Sequence, residues 1–201
     1  MNKVLIIGND PTINQIDFAR LDPAVITVGT NRAWLKLLPN YLFFHDIKIL
    51  DELENNTKKL EDLKFHSNLI ASDWLNPQCK KRNIQVPNYI KVYQRPDRTK
   101  YVDCVTTAID ILNRNVFAKN NTTYYIAGVS LKWQNPSHFW KLNPTPGIGN
   151  SNGPDWYNVR FDRTYRNFVN LKKGNTKMIS VTPGSRINKL IRHENIANLY
   201  S

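Results

Sequence analysis

The chain has 201 residues, is 41% hydrophobic and 11% aromatic, and carries a formal net charge of +12. That length and apolar content exclude a disordered chain and fit one globular domain with a full core. No apolar run approaches the roughly 18 residues of a membrane span, the opening Met1-Asn2-Lys3-Val4-Leu5 lacks a signal-peptide pattern, and the two cysteines, Cys79 and Cys104, form neither a metal box nor a disulfide framework, so a cytoplasmic protein without membrane insertion is expected.

Taken in chain order, Lys3 to Ile7 reads as a first strand that breaks into Gly8-Asn9-Asp10-Pro11-Thr12. Thr12 to Arg20 is a helix or turn with Ile13, Ile16 and Phe18 as apolar contacts, and Val25 to Val28 is a second strand. Gly29-Thr30-Asn31-Arg32 then opens a short helix through Leu38. Tyr41 to Phe44 is a third strand ending at His45-Asp46, and Ile47 to Leu63 alternates charges along a helical pattern that reads as a solvated face. Asn68 to Ala71 and Ile90 to Tyr93 are further short strands. Asp103 to Arg114 is a helix with Ala108, Ile109, Ile111 and Leu112 as its apolar area, and Tyr124 to Ala127 is a strand running into Gly128.

Residues 132–154 are irregular and rich in Pro, Asn and Gly, the composition of a lid or binding loop. Asp155 to Leu171 is a helix whose Tyr157, Phe161, Tyr165 and Phe168 fall within roughly 80° of one another and form a core stripe. Arg160, Arg163 and Arg166 are expected on the opposite side, as a solvated or a phosphate-contacting face. Lys177 to Val181 is the last strand, turning through Thr182-Pro183-Gly184-Ser185 into a helix from Arg186 to about Leu190. Strands separated by helices predict an α/β fold, one domain with a mostly parallel sheet and a small lid region.

In such a sheet three segments deliver polar groups to one edge: Gly8-Asn9-Asp10-Pro11-Thr12, Gly29-Thr30-Asn31-Arg32 and Thr182-Pro183-Gly184-Ser185 with Arg186. Backbone amides and a helix start suit a phosphate there, and an amide side chain suits a ribose or base.

The chain resembles a known family at these places. Gly8-Asn9-Asp10-Pro11-Thr12, continuing into Ile16-Asp17-Phe18-Ala19-Arg20-Leu21, is similar to the Gly-Asn-Gly-Pro-Ser…Ile-Asp-Tyr-Ser-Arg-Leu opening of bacterial lipooligosaccharide sialyltransferases. Thr30-Asn31-Arg32 matches that family's Cys-Asn-Gln, and Tyr124 to Gly128 its Ile-Tyr-Leu-Ser-Gly strand. Ile179 to Ser185, with Ile187, Asn188 and Ile191, resembles its closing Cys-Pro-Asn-Ser-Leu-Leu-Ala-Asn-Phe-Ile. The resemblance implies a single Rossmann-like domain of the GT-A type and metal-independent transfer from a nucleotide sugar, with no resident cofactor; the chain reads as a related glycosyltransferase, for which a phage origin is one option. The donor would be held by Gly8, Asn9, Asp10, Thr12, Thr30, Asn31, Arg32, Gly128, Thr182, Gly184 and Ser185. No Asp-x-Asp pair is present to hold a divalent metal against a diphosphate.

The chain departs from the family at two places. A Ser-Gly pair is here Cys104-Val105, and a Gly-Ile-Asp-Phe is Gly128-Val129-Ser130-Leu131, so the transferred sugar need not be sialic acid. Glycosyl transfer needs a base for the acceptor hydroxyl, and His138 or Asp155 is expected in that role. As bland alternatives, His138 reads as a surface-loop histidine and Asp155 as a carboxylate at a helix start.

Charge is uneven: residues 132–201 hold 11 basic and 3 acidic side chains, against 17 and 13 in residues 1–131. A second excess spans residues 80–100, with Lys80, Lys81, Arg82, Lys91, Arg95, Arg98 and Lys100 against Asp97. Such asymmetry favours a polyanionic partner. DNA carrying hydroxymethylated pyrimidines is therefore the expected acceptor, contacted by His45, Asp46, Trp133, Arg160, Arg163 and Arg166. The alternatives are a sialyltransferase-like enzyme of surface glycan synthesis and an inactive nucleotide- or nucleic-acid-binding module.

Overall fold

The computed structural model describes residues 1–95, 103–118, 121–132, 138–139 and 154–201, with side chains from 159 onward in the last segment. The lid expected over 132–154 lies outside these residues except for 132, 138, 139 and 154. Among the described residues, seven strands form one sheet: β1 (Asn2–Ile7), β2 (Ile26–Thr30), β3 (Tyr41–Phe44), β4 (Asn68–Ser72), β5 (Ile90–Tyr93), β6 (Thr122–Ala127) and β7 (Lys177–Ser180). Their order is β5-β4-β3-β2-β1-β6-β7, and each neighbouring pair is parallel. The chain builds outward from β1 to β5, then returns to β6 on the other side of β1. The order therefore reverses between β1 and β6, the place where open α/β sheets receive ligands beyond the strand carboxyl ends.

The apolar runs are continuous because both sheet faces are covered. On one face Val4, Ile6, Val28, Phe43 and Ile126 pack under α4 (Cys104–Asn115) and α5 (Pro154–Lys173). On the other, Leu42, Phe44, Leu69 and Ala71 meet α1 (Ile47–Glu54), α2 (Thr57–His66) and α3 (Leu75–Lys81). Leu5 and Ile7 meet Ile13, Val181 and Phe139 on that same face.

One local reading changes, one is narrowed and one helix was not expected. Residues 47–63 are not a solvated face but two helices: Ile47, Ile49, Leu50 and Leu53 of α1 are buried, as are Leu60 and Leu63 of α2. The break falls at Asn55-Asn56, where Asn56 Oδ1 accepts from Lys59 N at 3.3 Å and caps α2. Residues 12–20 become two 3₁₀ turns, Pro11–Gln15 and Phe18–Arg20, capped by the carboxylates of Asp10 and Asp17. Helix α3 has no sequence expectation behind it, because Asn76, Pro77 and Gln78 dilute its apolar pattern while Leu75 and Cys79 alone are buried. In α5 Phe168 is fully buried, with Phe161 and Tyr165 packed beside it, as the stripe requires; the Tyr157 side chain lies outside the described residues.

The turns after β1 and β6 press directly on one another. A β-carbon on Gly8 would lie 2.3 Å from Gly128 O, and one on Gly128 would lie 2.2 Å from Ile13 Cγ2. Gly128 also sits at φ +66°, a conformation that side chains resist. Gly184 shares a positive φ of +63° but has nothing within 4 Å. Gly128→Ala should therefore destabilise the fold by about 2–4 kcal/mol, against about 1 kcal/mol for Gly184→Ala. Urea denaturation midpoints of the two variants check this, and equal losses would contradict it.

Candidate active site

The structure knits the turns at the sheet's carboxyl edge together. Gly8 N donates to Ala127 O at 2.8 Å and Asp10 N to Gly128 O at 3.0 Å. The Asp10 carboxylate accepts from Thr12 N at 3.0 Å, from Thr12 Oγ1 at 2.7 Å and from Ser130 Oγ. Thr182 Oγ1 donates to Ile126 O at 3.2 Å and accepts from Val129 N at 3.3 Å. Ser185 Oγ donates to Val129 O at 2.6 Å and caps the Arg186–Lys189 turn by accepting from Ile187 N. The strand-end turns after β1, β6 and β7 thus converge, but through Asp10, Thr182 and Ser185 themselves. Their side chains, expected on the donor, are buried and already hydrogen-bonded within the protein. Arg32 likewise departs from a donor contact: its guanidinium is clamped by Glu52, with Nε to Oε2 at 2.8 Å.

Two asparagines behave differently. Asn9 Nδ2 donates to Thr30 O at 3.2 Å, while its Oδ1 is buried with no hydrogen-bond partner among the described residues. A buried amide oxygen without a donor costs about 1–3 kcal/mol unless a ligand supplies one. Thr30 is fully buried and anchors the turn by donating to Ile7 O. Asn31 follows at φ +48°, and its Oδ1 accepts from Cys104 Sγ at 2.9 Å. The thiol thereby fixes which way the amide faces and leaves its N–H groups for another acceptor.

His45 joins this pair from the end of β3. Its ring stands edge-on to Phe43, with centroids 6.2 Å apart, and Cys104 Sγ lies 3.6 Å from each ring nitrogen. Gln78 of α3 holds the loop, donating to His45 O at 2.6 Å and accepting from Ile47 N at 3.3 Å. Asp46 caps α1 through Lys48 N at 3.0 Å. Burial lowers the His45 pKa to about 4; Asp46 opposes this, and the charges of Arg95 and Arg160 add to it. Burial also pushes the Cys104 thiol up, with Asp103 acting in the same sense. Both groups are therefore neutral near pH 7. A Cys-His-Asn set in this state is a hydrogen-bonding cluster, not a thiolate nucleophile.

Helix α4 starts at this cluster. Asp103 caps it, with Oδ1 accepting from Thr106 N at 2.8 Å and Oδ2 from Asn167 Nδ2 of α5 at 2.8 Å. Burial raises the Asp103 pKa against the pull of these hydrogen bonds. Asp103 and Asn167 carry the site's geometry yet were not among the expected site residues, and Cys104 was marked only as a departure from the family resembled. The signal available was the Asp103-x-x-Thr106 cap ahead of an apolar run, which marks a helix start but not its neighbours.

The remaining expected residues are scattered. Phe139 N donates to Asn9 O at 3.1 Å, so the half-buried His138 stands beside the β1 turn. Trp133 and the side chain of Asp155 lie outside the described residues. Arg163 and Arg166 are exposed on α5, but Arg160 is half-buried, a correction to its expected place among them. It precedes Tyr157's end of the core stripe by about 60° and so flanks the stripe instead of opposing it. Thr12 and Gly128 also line a cavity of about 270 Å³ with Gln15, Pro183, His193 and Asn195. The basic excess at 80–100 is partly neutralised: Arg95 forms a buried pair with Asp73 at 2.6 Å and stacks on Trp74, and Arg82 pairs with Asp51 at 2.7 Å. No group of three His, Cys, Asp or Glu side chains is placed to hold a metal among the described residues.

The lowered His45 pKa carries a stability consequence. An unfolded imidazole binds its proton near pH 6.5, whereas the folded one resists until about pH 4, so the unfolded state holds more protons in that window. Stability therefore rises with pH from 4 to 6.5, by up to about 3 kcal/mol from this group. In His45→Asn that part of the slope should vanish, which denaturation curves across the window will show; identical slopes would contradict the burial of a neutral imidazole.

No family model and no curated protein matches the sequence. Solved structures do. The sialyltransferase CstII from Campylobacter jejuni in complex with cytidine-5'-monophosphate superimposes with a TM-score of 0.60 at 12% identity, covering 100% of this chain and 87% of that one. A point mutant of CstII, described as an α-2,3/8-sialyltransferase, gives 0.61 at 16% identity over 99% and 88% of the two chains. The monofunctional α-2,3-sialyltransferase Cst-I from Campylobacter jejuni gives 0.55 at 13% over 96% and 80%. At such identities the likeness is one of architecture: this chain has the fold of the bacterial sialyltransferases.

Proposed function

We propose that the protein is a nucleotide-sugar-dependent, metal-independent glycosyltransferase of the sialyltransferase-like kind, acting on a sugar hydroxyl of a glycan. The observation that carries this is the pair Asn9 and Asn31. Adjacent strands place them at the sheet's carboxyl edge, one with a buried acceptor oxygen unmatched and the other with its amide pinned by Cys104. The support beside it is a fold shared along nearly the whole chain with enzymes, one of them solved with a nucleotide.

In the reaction the acceptor oxygen bonds the anomeric carbon while the bond from that carbon to the phosphate oxygen breaks. The electron pair stays on the phosphate, and the hydroxyl proton passes to a base. We assign the base to His138, because the Phe139 N–H holds it beside Asn9, with Asp155 as the second candidate. His45 and Cys104, both uncharged, serve as hydrogen-bonding walls for the donor sugar. Gly8, Gly128, Asp10, Thr182 and Ser185 act one step back, by fixing the turns. A glycan acceptor is preferred to DNA: two cations of the 80–100 cluster, Arg82 and Arg95, are held by carboxylates, and the architectural likeness is to glycan-modifying enzymes.

The test incubates cytidine, uridine and guanosine nucleotide sugars with a terminal galactoside and, in parallel, with hydroxymethylated DNA, reading products by mass. Transfer to the galactoside is expected. Transfer to DNA alone would restore the polyanion reading, and no transfer with any donor would leave a nucleotide-binding module. Asn31→Ala should weaken nucleotide binding by about 10- to 100-fold, the loss of one hydrogen bond to a charged acceptor. Unchanged affinity would remove Asn31 from the donor site.

A further inference from the structure

Positive charge is divided unevenly between the two helical layers. Residues 47–82, which supply α1, α2, β4 and α3, hold seven basic and six acidic side chains. Residues 156–201 hold nine and two, and both of those carboxylates are already in ion pairs, Asp162 with Arg186 and Glu194 with Arg192. Helix α5 gathers the unmatched charge on one side. Its inner side carries Thr164 and Phe168, both buried, while Val159, Arg166 and Lys173 recur every seventh residue on the opposite side, in a line about 20 Å long. All three are exposed, Val159 to 54%. The turn Arg186–Lys189 lies along this helix: Lys172 Nζ donates to Leu190 O at 2.6 Å, and Arg186 stands over the Tyr165 ring, 4.9 Å from its centroid. That turn adds the exposed Lys189 to the flank. Arg166, Lys173 and Lys189 form no ion pair among the described residues. Lys172 keeps its charge as well, because a carbonyl partner does not neutralise it.

We propose that this outer face of α5, with Lys189 beside it, docks on the anionic headgroups of a membrane surface. A row of cations on the solvent side of a helix packed flat against a sheet matches a plane of phosphate groups, where each lysine or arginine raises partition by about 5-fold at low salt. The exposed Val159 at the end of the row suits the apolar boundary beneath the headgroups, and a nucleic-acid backbone offers it no such partner. Among the described residues no helix is long and apolar enough to cross a membrane, and the contact proposed is a peripheral one. Docking needs neither donor nor acceptor and so holds independently of the glycosyltransferase reading.

The experiment measures co-sedimentation of the full chain with vesicles of phosphatidylcholine alone and of phosphatidylcholine mixed with phosphatidylglycerol, at low and at physiological salt. The wild type should bind only the mixed vesicles, and less tightly as salt rises. The combined variant Arg166→Gln, Lys173→Gln, Lys189→Gln should lower that partition about 100-fold at low salt. A matched variant, Lys58→Gln, Lys80→Gln, Lys81→Gln, removes the same charge from exposed positions of the other layer and should change it by less than about 5-fold. Equal losses in the two variants would overturn the proposal, since net charge alone would then account for binding. Equal binding to both kinds of vesicle, or binding to neither, would also overturn it. A polarity-sensitive dye on Val159→Cys should emit at shorter wavelength with the mixed vesicles, and an unmoved emission would count against docking through this face. Duplex DNA bound as tightly as the mixed vesicles at matched phosphate concentration, and lost in the same α5 variant, would overturn the proposal by assigning the face to nucleic acid.

Discussion

Two glycine turns that touch hold this molecule's working edge together. The Gly128 carbonyl lies 2.3 Å from where a β-carbon on Gly8 would stand, so the ends of β1 and β6 approach as only bare backbone allows. Asp10 N can then reach Gly128 O, and the Ser130 hydroxyl can reach Asp10. Ser185 closes on Val129 from the β7 side. With these turns locked, Asn9 has one possible setting: its amide on Thr30 O, its carbonyl under Phe139 N, and its side-chain oxygen buried and waiting for a donor.

The electrostatics of the edge follow from that packing. Ionised groups near it are matched in pairs, Arg32 with Glu52 and Arg95 with Asp73, leaving the ring of Asn31, His45 and Cys104 uncharged. The neutral thiol gives its proton to Asn31 Oδ1 and lies 3.6 Å from the ring nitrogens of a neutral imidazole. Their neutrality also keeps the cysteine from acting as a nucleophile. Charges from several elements reach this ring: Asp46 and Arg160 act on both His45 and Cys104, Arg95 on His45 and Asp103 on Cys104. Helix packing and site electrostatics are here the same fact.

Much of the fold was legible because its signals are local. The strands Tyr41–Phe44 and Ile90–Tyr93 stand where their apolar runs begin and end, and the cap at Asp103 opens α4 one residue later. The break between α1 and α2 was not legible, since Asn55-Asn56 interrupts a helical charge pattern without a proline or glycine to mark it. Helix α3 was hidden by a polar sequence containing Pro77. In the site, Asn9 and Asn31 could be named from their place after apolar strands. What Asp10, Thr182 and Ser185 do could not, because their partners, Ser130, Ile126 and Val129, lie 55 to 120 residues away. The Asn31–Cys104 and His45–Cys104 contacts span 73 and 59 residues. No spacing rule reaches that far; the crossover that lays the start of α4 over β2 and β3 creates them.

The account stands on a ligand seat between the ends of β1, β2 and β3 and the start of α4. Amide chemical-shift mapping of the protein titrated with a nucleoside monophosphate tests it most directly. Saturating shifts should cluster at Asn9, Asn31, His45 and Cys104, with the side-chain amides of the two asparagines among the largest. Shifts confined to the cavity lined by Gln15, Pro183 and His193, with Asn31 and Cys104 unmoved, would contradict it.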